Sequence, residues 1–318
     1  MQDIAKMNGW LCLDKPAGTS SNAAMIKVRK ILGCKTGYIG TLDPFATGVL
    51  PIAVGEARKF IHFLEDGLKE YEFTVVFGKT TDTLDKDGQV TEESTKIPTM
   101  DEIESVLKDF IGEQMQMPPV FSAIKISGRR ACDRVRDGEQ VELSPRKIHV
   151  FSLVLAARAF TPEESVSALQ AHHVDLSRGN EAENVATFKL VCSKGTYVRS
   201  LARDIAAKVG ALCYVNELRR TKSGFFSLKH AIPLENLLKI EDTTSLVGLL
   251  TPIESPLDDI PALYLDGNLV KKVQNGLPVP LKYPSSNVRI CDSCDGGFRG
   301  IGFVSGDGLL KAVRMCVY

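Results

Sequence analysis

Apolar residues recur at a helical spacing near the start of the chain, in the segment NAAMIKVRKILG. The pair Ser20-Ser21 precedes this segment, and serine is a preferred residue at the start of a helix. Gly33 is suited to end the helix, because glycine readily adopts the left-handed conformation. The pattern predicts an amphipathic helix between these two points. The apolar residues on its inner face are Met25, Val28, Ile31 and Leu32.

Further strands and helices follow from the same kind of pattern. KEYEFTVVF alternates as a half-buried strand does, and the Asp- and Gly-rich residues after it predict a turn. RKIHVFSLVLAARAF and VATFKLVCSKG predict two more strands, with a polar excursion over the surface at 161 to 185. TMDEIESVLKDFIG and TYVRSLARDIAAKVGA predict amphipathic helices. The residues expected to face inward are Ile103, Val106, Phe110, Val198, Leu201, Ile205 and Val209.

The last quarter of the chain has a different pattern. Proline and acidic residues in TPIESPLDDIPAL interrupt the preceding periodicity and predict a linker. Short apolar runs separated by Gly-rich turns follow it, and they predict a small β-barrel of about 60 residues. A length of 318 residues is enough for one large domain and this small one.

The overall charge does not point to a nucleic-acid partner, since 39 Lys and Arg residues balance 39 Asp and Glu residues. The local distribution differs, because residues 189 to 222 contain eight basic and two acidic residues. KISGRRACDRVRDG is a second basic run. Such runs are usually solvated faces, and they also fit a surface that follows RNA phosphates. Both interpretations stay open on charge alone.

The eight cysteines are scattered, mostly inside apolar runs, as is typical of reduced thiols packed as small hydrophobic groups. Cys291 and Cys294 form a CxxC pair, which we interpret as a turn between two strands, with half of a zinc site as the alternative. The chain has neither an apolar signal segment nor an apolar run near the roughly 18 residues of a membrane span. We therefore expect a cytoplasmic protein without a membrane segment.

Three polar features lie in apolar surroundings: Asp43 within GTLDPFATGVLP, Tyr71 at the start of its strand, and Tyr197 with Arg199 after SKG. A carboxylate buried without a partner costs roughly several kcal/mol, so Asp43 needs a reason to be ionised. Each feature also has a structural interpretation. Asp43 fits an Asx-turn, Tyr71 an ordinary sheet aromatic, and Arg199 a surface helix residue. The spacing alone does not join them into a site.

The run GTLDPFATGVLPIAVGEA resembles the active-site loop of the TruB-type pseudouridine synthases, which make the T-loop pseudouridine at position 55 of bacterial tRNA. Other segments match the family in order along almost the whole catalytic region. They are LDKPAGTSSN, KEYEF with GKTTDTLDKDG, QMPPVFSAIKISGRRA, CSKGTYVRSLARDIA and NELRRTKSGFFSL.

This resemblance implies a two-domain architecture. The catalytic domain, over 1–255, is expected to have the α+β pseudouridine synthase fold, with a mixed, largely antiparallel central sheet flanked by helices. ALYLDGNLVKKVQNGLPVP is similar to the opening of the PUA domain that follows in this family. The resemblance therefore implies a PUA-like RNA-binding domain over 261–318.

The resemblance also assigns roles to single residues. It implies that Asp43 is the nucleophile, Tyr71 the active-site tyrosine, Tyr197 a tyrosine of the uracil pocket, and Arg199 the arginine that pairs with the aspartate. It implies an isomerisation that needs neither a cofactor nor a metal, on a uridine flipped out of the T-arm stem-loop of tRNA. We expect the protein to act as a monomer. The candidates for contact with RNA are Lys15, Pro16, Tyr38, Arg129, Arg130, Leu218, Arg219, Arg220 and Lys222.

The sequence departs from the family at Tyr38, where most members have a histidine, and at Cys132, where most have an aromatic residue. A tyrosine can still stack on a base but lacks the titration of imidazole. Two other functions stay open. One is a catalytically idle RNA-binding or tRNA-chaperone protein, and the other is an aspartate-dependent glycoside hydrolase. The hydrolase would need a second carboxylate about 5 to 9.5 Å from Asp43, for which Asp82 and Asp85 are candidates.

Overall fold

The computed structural model describes residues 7–158 and 184–317. The polar excursion predicted at 161 to 185 therefore lies, up to residue 183, outside the described residues. The strands in the described residues are β1 (Gly9–Lys15), β2 (Thr36–Tyr38), β3 (Thr47–Val54), β4 (Lys69–Phe77), β5 (Lys79–Thr81), β6 (Val90–Glu93), β7 (Gly112–Gln116), β8 (Lys125–Ile126), β9 (Arg129–Arg130), β10 (Arg146–Arg158), β11 (Val185–Cys192), β12 (Cys213–Ser223), β13 (Phe226–Ser227), β14 (Ile232–Pro233), β15 (Ala262–Leu265), β16 (Val279–Pro280), β17 (Ser286–Asp292), β18 (Phe298–Val304) and β19 (Leu309–Met315).

The helices are mostly short. The α-helices of the described residues are α1 (Ser21–Leu32), α2 (Ile61–Leu64), α3 (Met100–Leu107), α4 (Ala131–Arg136), α5 (Val198–Lys208), α6 (Leu234–Leu237), α7 (Thr243–Gly248) and α8 (Gly267–Gln274). Single 3-10 turns cover Gly55–Phe60, Lys108–Phe110, Leu228–His230 and Ser255–Leu257. Throughout 7–158 and 184–317, each helix falls short of the length and apolar character needed to cross a membrane.

The chain folds as two compact units. The first comprises residues 1–43, 48–67 and 223–318, and the second comprises residues 44–47 and 68–222. The predicted domain boundary between 255 and 261 falls inside the first unit and stays a prediction. The segment predicted as a linker is packed, because Ile253 and Leu257 are buried beside Trp10, whose indole donates to the Ile253 carbonyl at 3.0 Å.

The first unit is built around β1 and β3, which pair antiparallel over the full length of β1. β14 extends β1 in parallel, and β2 pairs with β3. Leu11 and Leu13 of β1 pack with α1, whereas Trp10 and Cys12 pack on the opposite face with the 3-10 turn before α2. Because both faces are covered, the central residues of the two strands form continuous apolar runs rather than alternating with polar ones.

The C-terminal part of the first unit is a small curled sheet. Among the described residues, its strands follow the order β15-β17-β18-β19-β16, and α8 packs against them. Val270 and Val273 of the helix share a core with Val288, Ile290 and other apolar residues of the strands. This half-barrel agrees with the small β domain predicted at this end of the chain. Cys291 and Cys294 lie at the junction of β17 and the turn before β18, which confirms the turn interpretation.

The second unit contains a largely antiparallel sheet in the order β12-β4-β11-β10-β7. The predicted alternation of β4 is confirmed, since every second residue from Lys69 to Phe77 is buried. Phe73 and Phe188 stack on adjacent strands with ring centroids 5.0 Å apart. α3 packs on β10 and on α5. A largely antiparallel sheet with helices packed on it confirms the predicted α+β fold.

The predicted helices form with small differences. α1 begins after Ser20, whose hydroxyl accepts from the Ala23 amide, and ends at Gly33 in the left-handed conformation. α3 turns Leu107 inward and leaves Val106 only half-buried, because the helix tightens into a 3-10 turn after Leu107. Val209 is likewise half-buried, since α5 ends one residue before it. The other residues predicted to face inward are buried or packed against the core.

Candidate active site

The backbone before Asp43 is held by one distant side chain. Ser21, the first residue of α1, donates its hydroxyl to the Leu42 carbonyl at 2.9 Å and accepts the Leu42 amide at 2.8 Å. Ser21 and Leu42 are buried, whereas Asp43 is half-buried. The chain is therefore fixed next to Asp43 while the carboxylate keeps part of its exposure, which lowers the desolvation cost of its charge.

Lys15 is fully buried at the end of β1. Its ammonium donates to the carbonyls of Pro16 at 2.8 Å and Thr19 at 2.7 Å, and so closes the turn that leads into α1. A buried lysine is rare unless its charge is satisfied in this way. The Lys15 side chain is thus inaccessible to an RNA phosphate in this conformation, whereas Pro16 is exposed.

In the second unit, Arg199 is buried near the start of α5, so its interpretation as a surface helix residue is wrong. Its guanidinium donates to the Thr83 carbonyl at 2.6 Å and to the Phe121 carbonyl at 3.0 Å. It also forms an ion pair with Asp85, with Nη1 and Oδ2 3.2 Å apart. Carbonyl and carboxylate partners together make burial of this charge tolerable.

Asp85 is held in the turn that follows β5. Besides Arg199, its carboxylate accepts the Thr83 hydroxyl at 2.7 Å and the Asp87 amide at 3.1 Å. Leu84 has a positive φ of 62°, a conformation rarely adopted by residues with a side chain, and the carbonyl of this residue accepts the Val215 amide. The turn is therefore tightly fixed, and it fixes the guanidinium of Arg199 in turn.

Neither Asp85 nor Asp82 of this turn is well suited to be the second carboxyl group that a glycoside hydrolase would need. The acid of such an enzyme must carry a proton, whereas the guanidinium beside Asp85 favours the ionised form. Asp82 is exposed and accepts the Gln89 amide at 2.9 Å, as a turn residue does. Both aspartates thus have structural partners within the second unit.

Tyr71 and Tyr197 lie on neighbouring elements. Tyr71 is buried on β4, opposite Leu190 of β11, and α5 packs against β4. Tyr197 is half-buried at the position before α5 and has no capping hydrogen bond from its own side chain. The buried Gln116 side chain accepts the Tyr197 amide at 2.8 Å and donates to the Tyr197 carbonyl at 3.0 Å. Asp43 belongs to the other unit, and its pairing with Arg199 stays a prediction.

Besides Lys15, five basic residues are predicted to face RNA, and they differ in exposure. Arg129 and Arg130 are exposed and bind carboxylates: Arg129 those of Asp137 and Glu139, and Arg130 that of Asp133. Hydrogen bonding to Asp137 raises the pKa of Arg129. The remaining three residues differ from one another. Lys222 is half-buried, with its side chain 43% exposed and its ammonium 3.4 Å from the Glu70 carboxylate. Arg219 is half-buried with its guanidinium 3.3 Å from the Thr47 hydroxyl, and Arg220 is only 1% exposed.

The two remaining candidates for RNA contact are apolar or aromatic. Leu218 is buried on β12. Tyr38 is half-buried on β2 and packs against the core beneath α1. Its ring is therefore only partly available for stacking on a base.

Buried thiols do not compete as nucleophiles in the second unit. Burial raises the pKa of the Cys192 thiol to about 11 and that of the Cys213 thiol to about 12. For Cys192, the burial effect exceeds the opposing influence of Thr196, Lys69 and Arg220. Because the thiolate is the reactive form, both cysteines are inert near neutral pH.

The sequence pattern does not indicate the positioning roles of three residues, Ser21, Gln116 and Asp85, of which Asp85 is named above only as a candidate carboxylate of a hydrolase. All three lie in or beside segments that carry the family resemblance, which is the signal that could have found them. Ser21 was considered only as a helix cap, whereas the cap is Ser20. Gln116 has no local feature that marks it, since its partner is 81 residues away.

Comparison with known proteins identifies the family. The model described as "TruB family pseudouridylate synthase (N terminal domain)" matches residues 27–198. The model described as "tRNA pseudouridylate synthase B C-terminal domain" matches 199–258, and "Pseudouridine synthase II TruB, C-terminal" matches 261–316. These matches cover the chain from residue 27 almost to its end.

Similar curated proteins span nearly the same length. A protein of Caulobacter vibrioides named tRNA pseudouridine synthase B is 40% identical over 310 residues, which are 97% of this chain and 93% of that protein. One of the same name from Dinoroseobacter shibae is 44% identical over 273 residues, or 86% of this chain and 83% of that protein.

A solved structure supports the fold. The crystal structure of a Cbf5-Nop10-Gar1 complex contains a chain that superposes with a TM-score of 0.66 at 23% identity, covering 97% of this chain and 85% of that chain. At this identity the similarity concerns the fold alone. Together with the sequence matches, it agrees with the sheets and helices described above. The chain belongs to the TruB family of pseudouridine synthases.

Proposed function

We propose that the chain converts the T-loop uridine at position 55 of tRNA to pseudouridine, with Asp43 as the nucleophile. The observation that carries the proposal is family membership over nearly the whole chain, with Asp43, Tyr71, Tyr197 and Arg199 at the family's motif positions. The similar proteins are named for tRNA, which supports tRNA as the substrate.

The reaction is an isomerisation that balances without a co-reactant. The bond between N1 and C1′ breaks, the uracil turns, and C5 bonds to C1′, so that C5 loses one proton and N1 gains one. An ionised Asp43 attacks either C6 of the base or C1′ of the ribose. In the second route a proton leaves C2′, and Tyr71 is the candidate base. The chemistry requires neither a metal nor a redox cofactor.

A fixed positive charge suits this chemistry. Arg199 is held by Asp85 and by two backbone carbonyls, so its guanidinium needs no reorganisation when substrate arrives. In the proposed enzyme it stabilises the Asp43 carboxylate by charge-assisted hydrogen bonding.

Base flipping requires contacts that offset about a few kcal/mol of lost stacking. We propose that Arg129, Arg130 and Lys222 bind phosphates, because their side chains are 43% to 57% exposed and their present partners are partly exposed carboxylates. Surface ion pairs of this kind contribute about 0 to 1 kcal/mol, so a phosphate readily replaces the carboxylate. Lys15 and Arg220, both buried, are better explained as structural residues.

The proposal is tested by incubating the protein with unmodified tRNA transcript and mapping pseudouridine at single-nucleotide resolution. We expect modification at position 55 alone, and none with the Asp43→Asn variant, which keeps a similar shape but lacks the nucleophile. Asp101→Asn, an exposed substitution on α3, is the matched control and should behave as wild type.

The same assay separates the RNA-binding alternative from the enzyme. Asp43→Asn should bind tRNA within about threefold of wild type. Most of the affinity for tRNA comes from phosphate contacts of basic residues, and the substitution leaves these residues unchanged. Turnover by Asp43→Asn near the wild-type rate would refute the assignment of the nucleophile. Tight tRNA binding by wild type without any pseudouridine would support an idle RNA-binding protein instead.

We propose two further properties of the protein, its location and its oligomeric state. A tRNA-modifying enzyme of this family meets its substrate in the cytoplasm, which we propose as the location of the protein. We propose a monomer, and sedimentation of the protein with and without tRNA tests this directly.

A further inference from the structure

Gln116, the last residue of β7, makes a reciprocal pair of hydrogen bonds with a single residue. Its side-chain oxygen accepts the Tyr197 amide at 2.8 Å, and its side-chain nitrogen donates to the Tyr197 carbonyl at 3.0 Å. Both residues belong to the second unit, and Gln116 is 3% exposed. A buried amide with both ends satisfied is held in one orientation.

The residue that Gln116 binds, Tyr197, lies where α5 begins. Tyr197 is the residue before α5, and its carbonyl also accepts the first helical hydrogen bond, from the Leu201 amide at 3.0 Å. Arg199 follows two residues later. The backbone that Gln116 holds is therefore the one from which both the Tyr197 ring and the Arg199 guanidinium project.

Two more bonds tie the segment after Gln116 to the same helix. Arg203 donates to the Met117 carbonyl at 3.2 Å, and Arg199 donates to the Phe121 carbonyl at 3.0 Å. These two bonds involve arginine side chains, which move independently of the helix backbone. Gln116 differs because it holds the backbone itself at the start of α5.

We propose that Gln116 is a positioning residue that sets the backbone of Tyr197, and through it the placement of the Tyr197 ring and of Arg199 for the reaction. This inference rests on the proposed function, which gives Tyr197 and Arg199 their roles. A displacement of about 1 Å in a positioned group can reduce turnover about 100-fold. The amide thus affects kcat without touching the substrate.

The chemistry of the amide makes the inference testable by pH. The ionised carboxylate of a Gln116→Glu variant has two acceptors, so it accepts the Tyr197 amide but faces the Tyr197 carbonyl with no donor. When protonated, the same carboxyl has one donor and one acceptor and reproduces the amide. Burial favours this neutral form. On β10, Arg146 is opposite Gln116, whereas Lys147 and His149 are opposite Met115 and Glu113 on the other face of the strand pair. On α5, Arg199 and Arg203 bond to the segment after Gln116, Asp204 pairs with Arg203, and Lys208 pairs with Asp109. The charged groups that share the face or the helix contact of Gln116 are thus arginines, a side chain that keeps its charge throughout this pH range.

The experiment compares kcat and KM of wild type, Gln116→Glu and Gln116→Met between pH 5.5 and 8.5, roughly the range over which a buried carboxyl can titrate. We expect Gln116→Met to lose about 10- to 100-fold in kcat at every pH, with KM changed less than about threefold. Gln116→Glu should show the same loss at high pH and recover, relative to wild type, as the pH falls.

Gln114→Glu is the matched control. Gln114 lies on the same strand, is half-buried, and donates to the Phe110 carbonyl at 2.6 Å, away from Tyr197. It should show no comparable recovery at low pH. Thermal unfolding of each variant at each pH separates loss of fold from loss of positioning, because a purely structural role would change stability and leave the kcat of the folded fraction unchanged.

The outcomes distinguish this inference from the proposed function. If wild type makes no pseudouridine, the proposed function fails. If wild type is active and folded Gln116→Met matches its kcat, the inference about Gln116 alone is overturned. If Gln116→Met does not fold, the pH response of Gln116→Glu decides, and a flat activity ratio across the range refutes the positioning role.

Discussion

Replacing Ser21 by alanine removes both hydrogen bonds that hold the backbone next to Asp43. The hydroxyl oxygen is 2.9 Å from the Leu42 carbonyl oxygen and 2.8 Å from the Leu42 amide nitrogen. Ser21 and Leu42 are 1% and 3% exposed, so water cannot easily replace the lost partner. The substitution leaves one buried donor and one buried acceptor without this partner.

The size of the effect follows from these two groups. A buried polar group left without a partner costs about 1 to 3 kcal/mol, and the two groups share one residue, so we expect a loss of about 2 to 4 kcal/mol in unfolding free energy. A loss of this size lowers the unfolding midpoint by several degrees, at about 2 to 4 °C per kcal/mol for a unit of 150 to 250 residues. Because the freed backbone adjoins Asp43, we also expect kcat to fall by about 10-fold or more.

The matched control is Ser20→Ala, one residue earlier in the chain. Ser20 caps α1 by accepting the Ala23 amide at 3.1 Å, whereas the bonds to Leu42 belong to Ser21. Loss of this cap should cost about 1 kcal/mol and leave kcat near the wild-type value. Thermal unfolding and single-turnover modification of tRNA transcript measure the two effects separately. Equal kcat for the two folded variants would refute the expectation that Ser21 positions Asp43, the proposed nucleophile.

Two further substitutions test buried and surface charges. Asp85→Asn removes the ion pair with Arg199 and should cost about 3 to 5 kcal/mol and most of the turnover, whereas Asp82→Asn at the exposed turn position should leave the unfolding midpoint within a few degrees. Equal midpoints for these variants would contradict a structural ion pair. For Glu56, burial is the largest single effect and raises the pKa, but the hydrogen bonds from Lys59 and the Val317 amide and the charges of Lys59 and Arg58 together outweigh it, so the pKa is lowered. Its contribution is therefore present above the unfolded pKa and lost as the pH falls through the folded pKa, so Glu56→Gln should reduce stability by less than about 1 kcal/mol at pH 7 and not at about pH 2. A difference that persists at the low pH would refute this account.

The sequence predicts the elements whose signals are local. α1 forms where the apolar residues repeat at a helical spacing, with Ser20 before it and Gly33 after it. β4 forms where apolar and polar residues alternate. In both cases, the information lies within about a dozen residues, and burial of the periodic face follows directly. The turn at Cys291 and Cys294 is predictable for the same reason.

Burial of single charges is not predictable in this way. The motifs around Lys15 and Arg220 predict contact with RNA, yet both side chains are buried, which is rare for basic residues. Arg199 was equally consistent with a surface position until the resemblance gave it a role. What decides each case is a partner far along the chain or a turn carbonyl, as with Asp85 for Arg199 and Thr19 for Lys15. The density of charged residues in the nearby sequence does not indicate whether such a partner is present.

The residues nearest the proposed chemistry are held by one recurring arrangement. The Ser21 hydroxyl and the Gln116 amide each satisfy the amide and the carbonyl of one residue, across 21 and 81 positions of sequence. Leu42 and Tyr197 lie outside the strand ladders, and these side chains bond to backbone groups that no ladder pairs, although the Tyr197 carbonyl also accepts the Leu201 amide. Only a side chain that both donates and accepts can satisfy the two groups at once. It follows that the placement of Asp43 and Arg199 depends on the chemical type of two distant residues, and that isosteric changes there should reduce turnover more than they reduce tRNA binding.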